Sequence, residues 1–176
     1  MNVNLPDNSF DAIYAIEATP HAPDKTECFK ELYRLLKPGG CFAGWEYSLL
    51  KDYDPKNPMH HQVMEDLEHG GGLQRTQTEA EVKQAFIDAG FKVLDLHNAC
   101  TEGLSWTLPL EKGILSSKIA RSLTNVLVRL LEFCRIAPKG SSSVSSFLNK
   151  GASAFVKAGR MKLFTANLFF LVQKPE

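Results

Sequence analysis

The sequence predicts an α/β fold built on a right-handed βαβ unit near the N-terminus. Three observations carry this expectation. Phe10–Ile16 is a near-continuous apolar run of strand length, the pattern of a parallel strand buried on both faces. Cys28, Leu32, Leu35 and Leu36 then recur at helical spacing behind a capping pair, Asp24 and Glu27. Cys41–Tyr47 is a second apolar run. Two strands joined by a helix place their carboxyl ends on the same rim of a sheet, where ligands of open α/β sheets bind.

The elements follow in order. Pro6, Asp7, Asn8 and Ser9 are turn formers ahead of the first strand. After the first helix, Lys37-Pro-Gly-Gly40 reads as a stop in which the glycines take a left-handed turn. Residues 52–58 form a polar turn, and His60–His69 reads as a short helix before Gly70-Gly-Gly72. Thr78 and Glu81 make a capping box for a helix with Val82, Ala85, Phe86 and Ala89 on one face. Gly90 closes it ahead of a strand over residues 91–96. Residues 102–113 read as a loop, and Ile114–Ile136 as the longest helix. Pro138-Lys-Gly140 breaks that helix. Ser141–Ser146 reads as a cap and short linker, Phe147–Ala158 as a helix and Lys162–Lys174 as the last strand.

Composition narrows the function. The chain has 176 residues, long enough for a substantial core, with 20 Lys plus Arg against 20 Asp plus Glu. A net charge of zero argues against broad electrostatic binding to nucleic acid. No apolar run reaches the about 20 residues that cross a bilayer, and no secretion signal is visible. Cys28, Cys41, Cys100 and Cys134 are scattered with no CxxC pair, which predicts free thiols in a reducing, intracellular compartment and no zinc site. His60-His61 lacks a third ligand, so no metal is expected.

The chemistry concentrates at Tyr14-Ala-Ile-Glu-Ala-Thr-Pro-His-Ala-Pro23. There the first strand runs directly into two ionisable groups, Glu17 and His21. Glu46 stands at the carboxyl end of the second strand as Glu17 does on the first. The simpler readings stand beside these. A strand-end carboxylate is often a loop residue bonded to backbone, and His21 a surface residue. Tyr14, Trp45 and Tyr47 can be core filling, Glu68 an exposed helix end, and the Leu-rich helix an ordinary core helix.

The same stretch resembles the Glu-Ala-Thr-Cys-His-Ala-Pro signature of sterol 24-C-methyltransferases. Leu36-Lys-Pro-Gly-Gly40 resembles a turn common among class I S-adenosylmethionine-dependent methyltransferases. Trp45-Glu-Tyr47, residues 53–58, Leu67-Glu-His-Gly-Gly-Gly-Leu73, Ala137-Pro-Lys-Gly-Ser141 and Lys162-Leu-Phe-Thr165 continue the family pattern in register. The likeness covers the chain but only the C-terminal half of the family. Pro20 stands where the family has cysteine and Gly71 where many members have aspartate. The family's glycine-rich cofactor loop and its ribose-binding acid are not in this sequence, so an upstream half is expected to complete the domain.

The resemblance implies a partial Rossmann-like methyltransferase sheet, in the family's numbering 4-5-7-6, with the last strand antiparallel. It implies a Rossmann-like portion over residues 1–100 and a helical sterol-binding C-terminal region over 101–176, whose last strand returns to the sheet. S-adenosylmethionine is the implied cofactor, bound at Ala15, Ile16 and Glu17. The implied reaction is methyl transfer to the side-chain double bond of a sterol, with Glu17 and His21 catalytic. Tyr14, Thr19, Trp45, Glu46, Tyr47 and Glu68 are the implied substrate contacts, and the Leu-rich helix covers the sterol body. Peripheral membrane contact, a place in the cytoplasm or at the endoplasmic reticulum surface, and self-association are further expectations. Two alternatives remain open: a non-catalytic remnant that binds lipid or a partner chain, and methylation of another isoprenoid lipid.

Overall fold

The computed structural model describes residues 3–100 and 118–176. Four strands form one mixed sheet: β1 (Phe10–Ile16), β2 (Leu36–Leu49), β3 (Lys92–Asn98) and β4 (Phe164–Gln173), in the order β1-β2-β4-β3. β1 and β2 are parallel, whereas β4 runs antiparallel to both β2 and β3. This is the strand order that the resemblance implied.

Helix α1 (Lys25–Leu35) connects β1 to β2. Asp24 starts it by accepting a hydrogen bond from the Glu27 N–H at 3.0 Å. Pro38 disfavours helix at Lys37, and Leu36 is already extended. β2 therefore begins at Leu36 and not at Cys41. Phe10 pairs with Leu36 and Ala12 with Cys41, so the Lys37–Gly40 turn sits as a bulge inside the strand, with Gly39 at φ 76°.

Two further helices are longer than expected. α2 spans Pro58–Gly71, capped by Asn57 with Pro58 in its first turn, and takes in two of the three glycines read as a loop. Gly70 is helical because α2 crosses another helix there, and a Cβ on Gly70 would strike the Gly151 backbone. That other helix is α5 (Ser141–Arg160), which absorbs the serine run read as a linker. Its start is capped from outside: the Glu132 carboxylate accepts from the Gly140 and Ser142 N–H groups at 2.7 and 2.8 Å. Glu132 belongs to α4 (Lys118–Phe133), which ends earlier than Ile136. α3 (Glu79–Asp88) carries the expected capping box. The loop expected over residues 102–113, and the first residues of the long helix, lie outside the described residues.

Two apolar clusters hold the layers together. One sheet face, through Phe42, Phe170 and Val172, packs on Phe29 of α1 and on Val82 and Phe86 of α3. Phe29 and Phe86 stack with centroids 4.1 Å apart. The second cluster joins Tyr47 and Phe164 to Val63, Met64 and Leu67 of α2 and Ala154 and Ala158 of α5. Outside these, Arg34 ties the N-terminal segment to α1 by donating to Glu31, Asp7 and the carbonyls of Val3 and Leu5.

The expectation that β1 is buried on both faces is corrected. Among the described residues β1 is an edge strand and pairs with β2 alone. Ile13 and Ala15 pack on the first cluster, while Tyr14 is 80 % and Ile16 65 % exposed on the opposite face. The Leu-rich helix is only partly covered among the described residues. α4 meets α5 through Asn125, which accepts from Ser145 and Asn149, and Leu123, Leu127 and Leu130 are exposed while Leu131 is half-buried.

Candidate functional site

The parallel pairing of β1 and β2 brings both carboxyl ends together, with Ile16 opposite Trp45. Glu17, the next residue, donates its N–H to the Trp45 carbonyl at 3.2 Å and takes a left-handed φ of 52°. For a residue with a side chain this conformation costs about 1–3 kcal/mol, and such strain clusters at functional sites. It turns the exposed Glu17 carboxylate toward β2, where the Tyr47 hydroxyl donates to it at 2.9 Å. Burial, and then the hydrogen bond to Glu17, push the Tyr47 phenol well above its ordinary value, so Tyr47 stays a proton donor.

Beneath this pair lies a buried polar knot. Glu46 is 0 % exposed and uses both carboxylate oxygens internally. One accepts the Tyr47 N–H at 2.7 Å; the other accepts the Thr19 hydroxyl at 2.7 Å and pairs with the Lys25 ammonium at 2.9 Å. Lys25 also donates to the Thr19 carbonyl at 3.4 Å. Thr19 opens a single 3-10 turn, Thr19–His21, whose prolyl residue Pro20 is buried. The knot thus clamps the segment after β1 onto the end of β2.

The other predicted residues are placed as follows. Ala15 and Ile16 lead into Glu17, and Tyr14 points from the opposite sheet face to solvent. Trp45 is half-buried, edge-on to Phe169 at 5.4 Å. His21 is exposed, with Nδ1 3.4 Å from the Gly72 carbonyl. Glu68 is half-buried and accepts the Thr76 N–H at 2.6 Å, which ties the segment after α2 to that helix. Tyr47 joins Glu17, and Thr19 joins Glu46. The pair formed by Thr19 and Glu46 is turned inward, because both are buried and spent on each other and on Lys25.

Lys25 is the member that sequence reasoning missed. Its signal was faint but present: a lysine in the first helical turn opposes the positive end of the helix dipole, so it needs a carboxylate from elsewhere. Beside it, a cavity of about 420 Å³ is lined by Pro20, Pro23, Lys25, Arg75 and Gln77 among others. Two buried oxygens near it in sequence, Thr76 Oγ1 and Gln77 Oε1, accept no hydrogen bond among the described residues. Among those residues no group of three His, Cys, Asp or Glu is arranged to hold a metal.

Comparison with solved structures identifies the fold. The fold matches geranyl diphosphate methyltransferase with a TM-score of 0.61 at 14% identity, over 98% of this chain and 54% of that one. The cyclopropane synthase MmaA2 from Mycobacterium tuberculosis matches with a TM-score of 0.61 at 16% identity, over 96% of this chain and 56% of that one. The sheet has the Rossmann-like fold of these methyltransferases.

Sequence comparison then narrows the class. The methyltransferase domain model matches residues 1–44, and the sterol methyltransferase C-terminal model matches residues 112–176. Cycloartenol-C-24-methyltransferase 1 from Oryza sativa subsp. japonica is 42% identical over 99% of this chain and 53% of its own length. The sterol 24-C-methyltransferase from Saccharomyces cerevisiae is 33% identical over 100% of this chain and 50% of its own length. Over its length the chain is similar to the C-terminal half of sterol 24-C-methyltransferases, and it spans about half the length of the curated relatives it matches.

Proposed function

We propose that this chain forms the acceptor side of an S-adenosylmethionine-dependent methyl transfer to the side-chain double bond of a sterol, working with the half of the domain that its relatives also carry. The observation that carries the reading is the Glu17–Tyr47 pair. A strained acidic residue and a buried phenol meet on the rim of the sheet, within the stretch that most resembles the family signature.

The residues present fit one wall of the cofactor site. Ala15 and Ile16 end an edge strand, and Glu17 offers an exposed carboxylate of the charge that suits a sulfonium. When bound, the cofactor supplies an electrophilic methyl group. Attack by an alkene leaves a cation on the sterol side chain, and the Glu17 carboxylate has the chemistry to stabilise that charge and then accept a proton from it. Tyr47 holds the carboxylate in place, and the high phenol pKa keeps the hydroxyl proton on the tyrosine. Glu46, Thr19 and Lys25 fix Tyr47 and the 3-10 turn from below.

The test joins this chain to the upstream half of the rice relative and supplies labelled S-adenosylmethionine and a sterol with a side-chain alkene. The reading expects label in the sterol. A joined protein that folds and binds the cofactor, yet leaves the sterol unlabelled, overturns it. The exposed edge of β1, with Tyr14 and Ile16 beside it, favours a second reading: a non-catalytic chain that associates with a partner through that edge. Edge-dependent association of the chain, without methyl transfer by the joined protein, is what that second reading predicts. Among the described residues no helix is long and apolar enough to cross a membrane.

A further inference from the structure

We infer that the C-terminal end of α2 is the positioning element for His21: the Gly72 carbonyl holds the imidazole with its proton on Nδ1 and leaves Nε2 as a free proton acceptor. A carbonyl oxygen only accepts, so the ring nitrogen that bonds to it must donate. His21 Nδ1 stands 3.4 Å from the Gly72 carbonyl oxygen. The proton of the neutral ring therefore lies on Nδ1 and the lone pair on Nε2.

A bond of that length is weak on its own, but both sides that carry it are rigid. Gly72 lies just past α2 in the left-handed conformation, at φ 62° and ψ 31°. Its N–H donates to the His69 carbonyl at 3.2 Å, and the Leu73 N–H donates to the Glu68 carbonyl at 2.8 Å. This bond pair is that of a Schellman helix end. The Glu68 carboxylate accepts the Thr76 N–H at 2.6 Å, so the chain leaving α2 is tied back to the same residue. Leu73 packs on the cluster that holds Tyr47 and Leu67. The helix end thus sets the direction of the Gly72 carbonyl.

His21 is mounted as firmly. It closes the 3-10 turn between two buried residues, Pro20 and Ala22. The Ala22 N–H donates to the Thr19 carbonyl at 3.1 Å, and the Thr19 hydroxyl donates to the buried Glu46 at 2.7 Å.

The arrangement also suits the protonated ring. α2 turns the negative end of its dipole toward His21, and an imidazolium donates a stronger hydrogen bond than the neutral ring. For its use the inference rests on the methyl-transfer reading, because it gives the rim that carries the Glu17 carboxylate a neutral base as well. For its first test it does not, because the tautomer is read with neither cofactor nor sterol present.

The test is NMR of the histidine ring nitrogens in the chain alone, in mildly alkaline solution, with the His21 signals assigned by their loss in His21→Gln. His60 is a control in the same spectrum: its Nδ1 accepts the Asp54 N–H at 3.1 Å, so its proton must lie on Nε2. His21 is expected as the Nδ1–H form and His60 as the Nε2–H form. A Cβ at Gly72 would meet no atom within 4 Å, so a substitution there acts through the backbone alone. Gly72→Asn, which tolerates the left-handed conformation, is expected to keep the His21 tautomer, and Gly72→Val, which does not, is expected to lose it. In the protein joined to the upstream half, Gly72→Val is expected to lower kcat by about tenfold or more with little change in KM. An Nε2–H tautomer for His21 in the parent chain overturns the inference. So does an Nδ1–H tautomer that survives Gly72→Val in a folded chain, and so does a kcat that is unchanged when the tautomer is lost. A joined protein that transfers no methyl group, with both tautomers as expected, overturns the methyl-transfer reading and upholds the positioning of His21.

Discussion

Lys25 and Glu46 form a buried ion pair beneath Glu17 and Tyr47. The pair is 2.9 Å apart, with side chains 7 % and 0 % exposed, and both partners have further hydrogen bonds. Removing one partner of such a pair leaves an uncompensated buried group and costs about 3–5 kcal/mol, whereas replacing both with apolar side chains of similar volume is often neutral. Glu46→Leu and Lys25→Met are therefore each expected to lower stability by about that much in denaturant titration, and the double variant is expected to recover most of the loss. Additive losses in the double variant would mean that the pair is not the coupled unit described. The acidic partner was legible: Glu46 is an acid at a strand end. Its burial was not, because a strand that ends in an acid reads the same whether the acid faces solvent or a lysine. Glu17 was also legible as a residue, while its left-handed backbone was not, since that conformation is imposed by tertiary contacts and leaves no glycine to mark it.

At the scale of elements, caps and close approaches decide the boundaries. Helices α1 and α3 were legible because their caps are local: Asp24 and Thr78 each bond an amide three residues on. α5 was misread at its start because its cap comes from another helix, through Glu132. That cap has a pH signature. The folded-state pKa of Glu132, about 2, lies below its ordinary 4.5, so the stabilisation is present above about 4.5 and is lost as pH falls toward 2. Glu31, held at about 2 by Arg34 and the Val3 amide, acts in the same sense. Glu132→Gln is expected to lower the melting temperature at neutral pH and to flatten its fall across that acid window. An acid limb identical in slope to the parent's would contradict the assignment. The crossing of α2 and α5 is set by Gly70 against Gly151. Gly70→Ala places a methyl against the facing backbone and is expected to cost about 1–3 kcal/mol, even though alanine is the better helix former. A gain in stability would show that the helices have room to part.

For the whole molecule, the strand order came from family likeness, and the antiparallel β4 between β2 and β3 agrees with it. Hydrophobic pattern alone set the strands but not which of them is an edge. Phe10–Ile16 is apolar enough for a strand covered on both sides, yet within the described structure one of its edges and much of one face stay open. The central claim is that Glu17 and Tyr47 form the reactive rim of a methyltransferase site. The most direct measurement is the rate of labelled-methyl transfer to an alkene sterol by the protein joined to its relative's upstream half, with Glu17→Gln and with Tyr47→Phe. The account predicts that Glu17→Gln lowers kcat by about 10²–10⁴-fold while cofactor binding persists, and that Tyr47→Phe lowers it less. A Glu17→Gln protein that folds, binds cofactor and transfers methyl groups at the parent rate would contradict it.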